Sequence, residues 1–93
     1  MIGACELRMV ILGAHSLKEK RKVLKSIKDR LSRMNVSVAE VDDNDKWQAA
    51  TLGISMVSNE TAFIHSVIDR IISNIEGNGQ VEILDARTEI LHI

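Results

Sequence analysis

Residues 3–19, Gly3-Ala4-Cys5-Glu6-Leu7-Arg8-Met9-Val10-Ile11-Leu12-Gly13-Ala14-His15-Ser16-Leu17-Lys18-Glu19, change their hydrophobic period once, and that change decides the fold. Cys5, Leu7, Met9 and Ile11 alternate with Glu6 and Arg8, the two-residue period of a strand with one buried face, so a strand is predicted from Gly3 to Ile11. Gly13-Ala14-His15 ends it. Ser16 and Glu19 then form an S-x-x-E capping box, in which hydroxyl and carboxylate satisfy the free amides of a first helical turn. Leu24, Ile27, Leu31 and Met34 follow at helical spacing, which extends the helix from about Leu17 to Met34.

Outward from this stretch the pattern continues. Val36 to Val41 reads as a strand and Asp42-Asp43-Asn44-Asp45 as a turn, after which Ala50, Leu52, Ile54 and Met56 alternate with Thr51, Gly53 and Ser55. That is a hairpin. Ser58 or Asn59 is placed to cap a second helix with Ile64, Val67, Ile68, Ile71, Ile72 and Ile75 on one stripe, ended by Gly77-Asn78-Gly79. Val81 to Ile93 forms a final strand. Its alternation changes phase where Ile83 and Leu84 are both apolar, which predicts a bulge or bend there and a distal half that extends past the core. The order β-α-β-β-α-β implies an α+β, ferredoxin-like split sandwich. Right-handed crossovers give an antiparallel sheet of order 4-1-3-2 with two helices on one face.

Charge is distributed very unevenly along this framework. Eight of the twelve basic residues, Lys18, Lys20, Arg21, Lys22, Lys25, Lys28, Arg30 and Arg33, fall within residues 18–33 beside only Glu19 and Asp29, a net +6. The other residues carry four basic against eleven acidic groups, −7, so a net charge of −1 conceals a basic helix on an acidic body. Such a dipolar chain favours an anionic partner over a small-molecule reaction. Lys18, Lys20 and Arg21 lie in the first turn, where the macrodipole is already positive, and with Ser16 and the free amides near His15 they make a candidate phosphate site.

The 93 residues, 45% of them apolar, suffice for a single domain spanning 1–93. The one cysteine, Cys5, sits in the alternating run as a small buried hydrophobe, excludes an internal disulfide and fits a reducing, cytoplasmic setting. No apolar tract approaches the roughly 20 residues of a membrane span, and no basic-then-apolar leader opens the chain. A membrane role is therefore not expected. There is no proline, and the five glycines are spread out, so neither linker nor repeat is foreseen.

No constellation for catalysis emerges. His15, His65 and His92 lack zinc-site spacing, and His65 and Asp69, one turn apart, are expected to pair on the surface. Asp42, Asp43 and Asp45 fail the calcium-loop pattern because Trp47 and no glycine or glutamate occupy its later positions. Ser16 is better explained as a cap than as a nucleophile. No catalytic residue, metal or cofactor is assigned. Acylphosphatases share the size and fold, but Gly13-Ala14-His15-Ser16 is too short for their phosphate loop and lacks its glycines and arginine, which leaves a small phosphate-ester or acyl-phosphate hydrolase as a remote alternative.

RNA binding, if it occurs, must be of a particular kind. Trp47 and Phe63 are the only aromatics, so the open sheet face has nothing on which to stack bases and contact should be directed at the backbone. Phe63 is expected in the core. Trp47 is expected to close the lower end of the core, with stacking on a base or a partner side chain as its alternative.

Taken together, Ser16-Leu17-Lys18-Glu19-Lys20-Arg21, Asn35 to Asp42, Asp45-Lys46-Trp47-Gln48, Ala50, Leu52-Gly53 and Val57-Ser58 resemble the YlxP-like family of small bacterial proteins, domain of unknown function 503, over nearly the entire chain. The resemblance implies the ferredoxin-like fold. Family genes often lie beside those of a translation initiation factor and a ribosome-binding maturation factor, which implies a link to RNA or the ribosome. Lys18, Lys20, Arg21, Asp42, Asp45, Trp47 and Gln48 lie in the matching motifs and are its candidate functional positions.

The leading expectation is a non-enzymatic cytoplasmic accessory protein that binds structured RNA, ribosomal RNA or the ribosome. Ser16, Lys18, Lys20, Arg21, Lys25 and Lys28 would contact phosphate, and Asp42, Asp45, Trp47 and Gln48 a partner. The alternative is a homodimeric interaction module built on strand four, which is long, ends in apolar Ile90, Leu91 and Ile93 and lacks a proline to blunt it.

Overall fold

A computed structural model describes all 93 residues. The elements are β1 (Ile2–Ile11), α1 (Leu17–Ser32), β2 (Ser37–Asp42), β3 (Ala49–Val57), α2 (Thr61–Glu76) and β4 (Val81–Leu91). All strand pairs are antiparallel and the sheet order is β2-β3-β1-β4, the expected order read from its other edge.

The period switch works as the sequence implies. Cys5, Leu7, Met9 and Ile11 of β1 are buried and meet Ala50, Leu52, Ile54 and Met56 of β3 beneath the apolar stripes of the two helices. Gly3 is the closest approach. A Cβ added there would overlap Ile64 Cγ2, so α2 begins directly on the sheet only because Gly3 has no side chain.

At β4 the register jumps from Arg8↔Asp85 to Met9↔Ile83, which leaves Leu84 as the extra residue of the expected bulge. Beyond it Asp85 to Leu91 stays paired with β1 as far as Ile2↔Leu91, and although most of its side chains are exposed, Ile90 opposite Gly3 still packs on the core, so the distal half does not extend past the core as expected. A second register shift, at Val41 in β2, lays that side chain over Gly53.

Four further expectations need correction. Phe63 is 49% exposed and Trp47 53% exposed, because aliphatic side chains fill the core without them. Glu60, not Ser58 or Asn59, is the N-cap of α2 and makes no side-chain cap bond, although Ser58 Oγ accepts from the Glu60 amide at 3.1 Å. His65 and Asp69 form no ion pair or hydrogen bond: both side chains are solvated, and in water such a contact gains too little to hold two side chains together.

Candidate functional site

α1 buries Lys20, Leu24, Ile27 and Leu31, and the other charges are thereby left on its flanks and outer side. Lys18, Arg21, Lys22, Lys25 and Arg33 are exposed and Lys28 is half-buried. Ion pairs form at only three places in the molecule: Lys20 with Glu40, Lys25 with Asp29, and Lys46 with Asp43. Lys18, Arg21, Lys22, Lys28 and Arg33 therefore face solvent without a carboxylate partner. The Lys25–Asp29 pair, 3.1 Å apart and well solvated, is a weak surface contact.

The first turn is closed by the expected capping pair, with the Glu19 carboxylate reaching back to His15. Ser16 Oγ accepts from the Glu19 amide at 3.1 Å, and Glu19 Oε2 accepts from the His15 amide at 2.7 Å. A carboxylate thus occupies the ground where an anion would meet the free amides. The Ser16 hydroxyl accepts as the cap, and its own O–H remains free to donate.

Lys20 departs further from its expected place. Glu40 lies opposite Leu52 in the β2–β3 ladder and so points to the helical side of the sheet, where Lys20 Nζ meets Glu40 Oε2 at 2.8 Å. The contact is ionic, since the alignment at Glu40 Oε2 falls short of a hydrogen bond. Lys20 Nζ also donates to the Asp43 carbonyl at 2.6 Å, and the side chain is only 1% exposed. Lys20 is a clamp between α1 and β2, not a phosphate ligand. The signal was present in the spacing 20-24-27-31, which makes Lys20 the first member of the buried stripe.

That clamp joins the basic helix to the acidic turn. Asp43 has φ of 63°, which an aspartate tolerates, and its amide donates to Asp42 Oδ1 at 2.8 Å. Its own carboxylate accepts from Thr51 Oγ1 at 2.9 Å and pairs with Lys46 Nζ at 3.1 Å. The Thr51 hydrogen bond, aided by Lys46 and Arg8, holds the Asp43 carboxyl below the usual aspartate range. Gln48 ties the same turn to the β1–α1 loop: its carbonyl accepts from the Ile11 amide at 2.9 Å and its Nε2 donates to the Ala14 carbonyl at 3.4 Å.

The Lys20–Asp43 and Gln48–Ala14 contacts thus bring the start of α1 and the turn Asp42 to Gln48 to the same end of the sheet. Asp42 and Asp45 are exposed there. Trp47 stands at the rim of a shallow hollow of about 650 Å³ lined also by Val10, Asp45, Lys46, Gln48 and Ala49. Lys25 and Lys28 lie farther along α1, away from this end.

Comparison with known proteins agrees with this architecture. Residues 2–88 match the model of the family described as a protein of unknown function, DUF503. The uncharacterised protein YlxP of Bacillus subtilis (strain 168) is 38% identical over 90 residues, which cover 96% of this chain and 98% of that one. Among solved structures, the de novo designed protein Foldit4 superposes with a TM-score of 0.64 at 18% identity, covering 99% of this chain and all of the design. The de novo designed LFR1 1, with a ferredoxin fold, gives 0.59 at 14% identity, over 98% of this chain and 87% of that one. At these identities the designs are alike in fold alone.

Proposed function

The chain belongs to the DUF503 family, and from that premise we propose that it is a non-enzymatic accessory protein of the cytoplasm that docks on structured RNA, such as ribosomal RNA in the ribosome, through the outer side of α1. The observation that carries the reading is the row of cations left without carboxylate partners, Lys18, Arg21, Lys22 and Lys28, on a chain whose remaining residues are acidic. A like-charged row on one helix costs stability unless an anion meets it. A polyphosphate backbone does so and releases its counterions.

Base readout is at most marginal in this mode. The uncovered sheet face presents Ala4, Glu6, Arg8, Gly53 and Ser55 without a ring, and the one aromatic at its border is Trp47, beside Val10 and Ala49 at one end. Affinity for ribosomal RNA fragments should fall steeply with salt, and replacing Lys18, Arg21, Lys25 and Lys28 with alanine should lower the slope by roughly 0.7–0.9 per lost contact. Absence of binding at low salt, or a fourfold variant that binds like the wild type, would overturn the proposal.

A second reading, self-association through β4, is favoured by one observation: the outer edge of this 11-residue strand pairs with nothing and nothing covers it. It is compatible with RNA docking because α1 packs toward β2, at the far side of the sheet.

A further inference from the structure

The two sheet edges differ in their fitness for adding a strand. β2 is six residues long, is kinked by the irregularity at Val41 and turns the charged Glu40 inward against Lys20. Short length, a bulge and an inward charge all discourage pairing. β4 carries none of these beyond Leu84. From Asp85 to Leu91 its ladder with β1 is regular, and most of its side chains are exposed.

Resting on self-association through β4, we infer that two copies pair antiparallel along Asp85–Leu91 about a two-fold axis at Thr88, perpendicular to the sheet. Three constraints select this register. Opposed residues in an antiparallel pair must point to the same face, so the axis passes through a residue and not between two. An axis at Arg87 sets Arg87 against Arg87 and Asp85 against Glu89, which repel. An axis at Ala86 sets Asp85 against Arg87 but carries the Leu84 bulge into the ladder of both copies.

Thr88 has neither fault. It is the midpoint of the regular run between the bulge and the strand end, and it places Arg87 opposite Glu89 twice on the open face. On the helical side it places Ala86 opposite Ile90 twice, so exposed Ala86 and half-exposed Ile90 cover one another. The contact is self-complementary, as a two-fold interface requires. The seven paired residues of each copy run for about 20 Å at strand rise, and the four-stranded sheets become one of eight.

Sedimentation of the full-length chain over a range of concentrations tests the register. The wild type should form dimers. Glu89→Arg replaces two attractive pairs by two repulsive ones and should raise the dimer dissociation constant roughly tenfold. Glu89 faces uncharged Ala4 within its own sheet, so this change leaves the fold intact. Arg87→Glu should act likewise, with thermal melting to account for its own neighbour Glu6, and Arg87→Glu/Glu89→Arg should restore the dimer.

A chain that stays monomeric at every concentration overturns both the register and self-association. A dimer indifferent to Glu89→Arg, weakened by Arg87→Glu and not rescued by the double change moves the axis to Ala86: the register is then wrong and self-association through β4 stands. A dimer indifferent to all three variants overturns both.

Discussion

Lys20 Nζ and Glu40 Oε2, 2.8 Å apart and nearly closed off from water, bind the first turn of α1 to the end of β2. Removing either partner leaves the other charge buried and unmatched. Lys20→Ala is expected to cost about 3–5 kcal/mol in denaturant unfolding, whereas Lys20→Met with Glu40→Leu should recover most of that loss. A Lys20→Ala protein as stable as the wild type would show that the pair contributes nothing.

Asp43 sets an acid limit on stability. Its folded pKa is depressed by the Thr51 hydrogen bond and by Lys46, so its contribution is present above the unfolded value of about 3.9 and is lost as pH falls through the lower folded value. Thermal melts below about pH 4 should drop less steeply for Asp43→Asn, which keeps a side-chain acceptor for Thr51 but no titratable group.

Gly3→Ala should destabilise the protein by about 1–3 kcal/mol, because the new methyl group overlaps Ile64 and α2 must shift off the sheet. The loss should appear in the midpoint of denaturant unfolding with the slope unchanged.

The indole of Trp47 should emit at long wavelength and be quenched readily by acrylamide in the native protein, as its 53% exposure requires. Trp47→Phe should change stability by no more than about 0.5 kcal/mol. A blue-shifted, protected emission would place the ring in an interface.

Cys5 is buried, and that burial raises its thiol pKa against the opposing Thr88 hydrogen bond. Aromatic disulfide reagents should therefore label the native protein only as fast as it opens, and labelling should accelerate sharply in denaturant.

Most of this architecture was legible because it depends on period. The alternation of β1, the stripes of both helices and the doubled apolar pair Ile83-Leu84 each translate into backbone geometry without knowledge of distant contacts. What escaped was decided between elements. Lys20 reads as one more outward cation until Glu40 is known to lie beneath it, and a buried charge is recognisable only with its partner in view.

The aromatic residues misled for a related reason. Scarcity argued that Trp47 and Phe63 should be spent on the interior, yet the buried cluster contains only aliphatic and sulfur side chains. Ile, Leu, Val and Met already fill the space between two helices and a narrow sheet, and a ring would have overpacked it. At the candidate site, the row of outward cations was legible from charge and the closing of the first turn from the S-x-x-E spacing, while the pairing of the Glu19 carboxylate with the His15 amide depended on the geometry of the turn.

The unequal sheet edges bear on what this chain can never become. A strand that invites a neighbour is hazardous when both borders of a sheet are open, since each addition exposes a fresh border and growth continues into fibres. Here the inward charge at Glu40 and the irregularity at Val41 seal one border. If copies add at the other, growth stops after a single partner, and the Lys20–Glu40 clamp would in that sense also act as a brake on polymerisation.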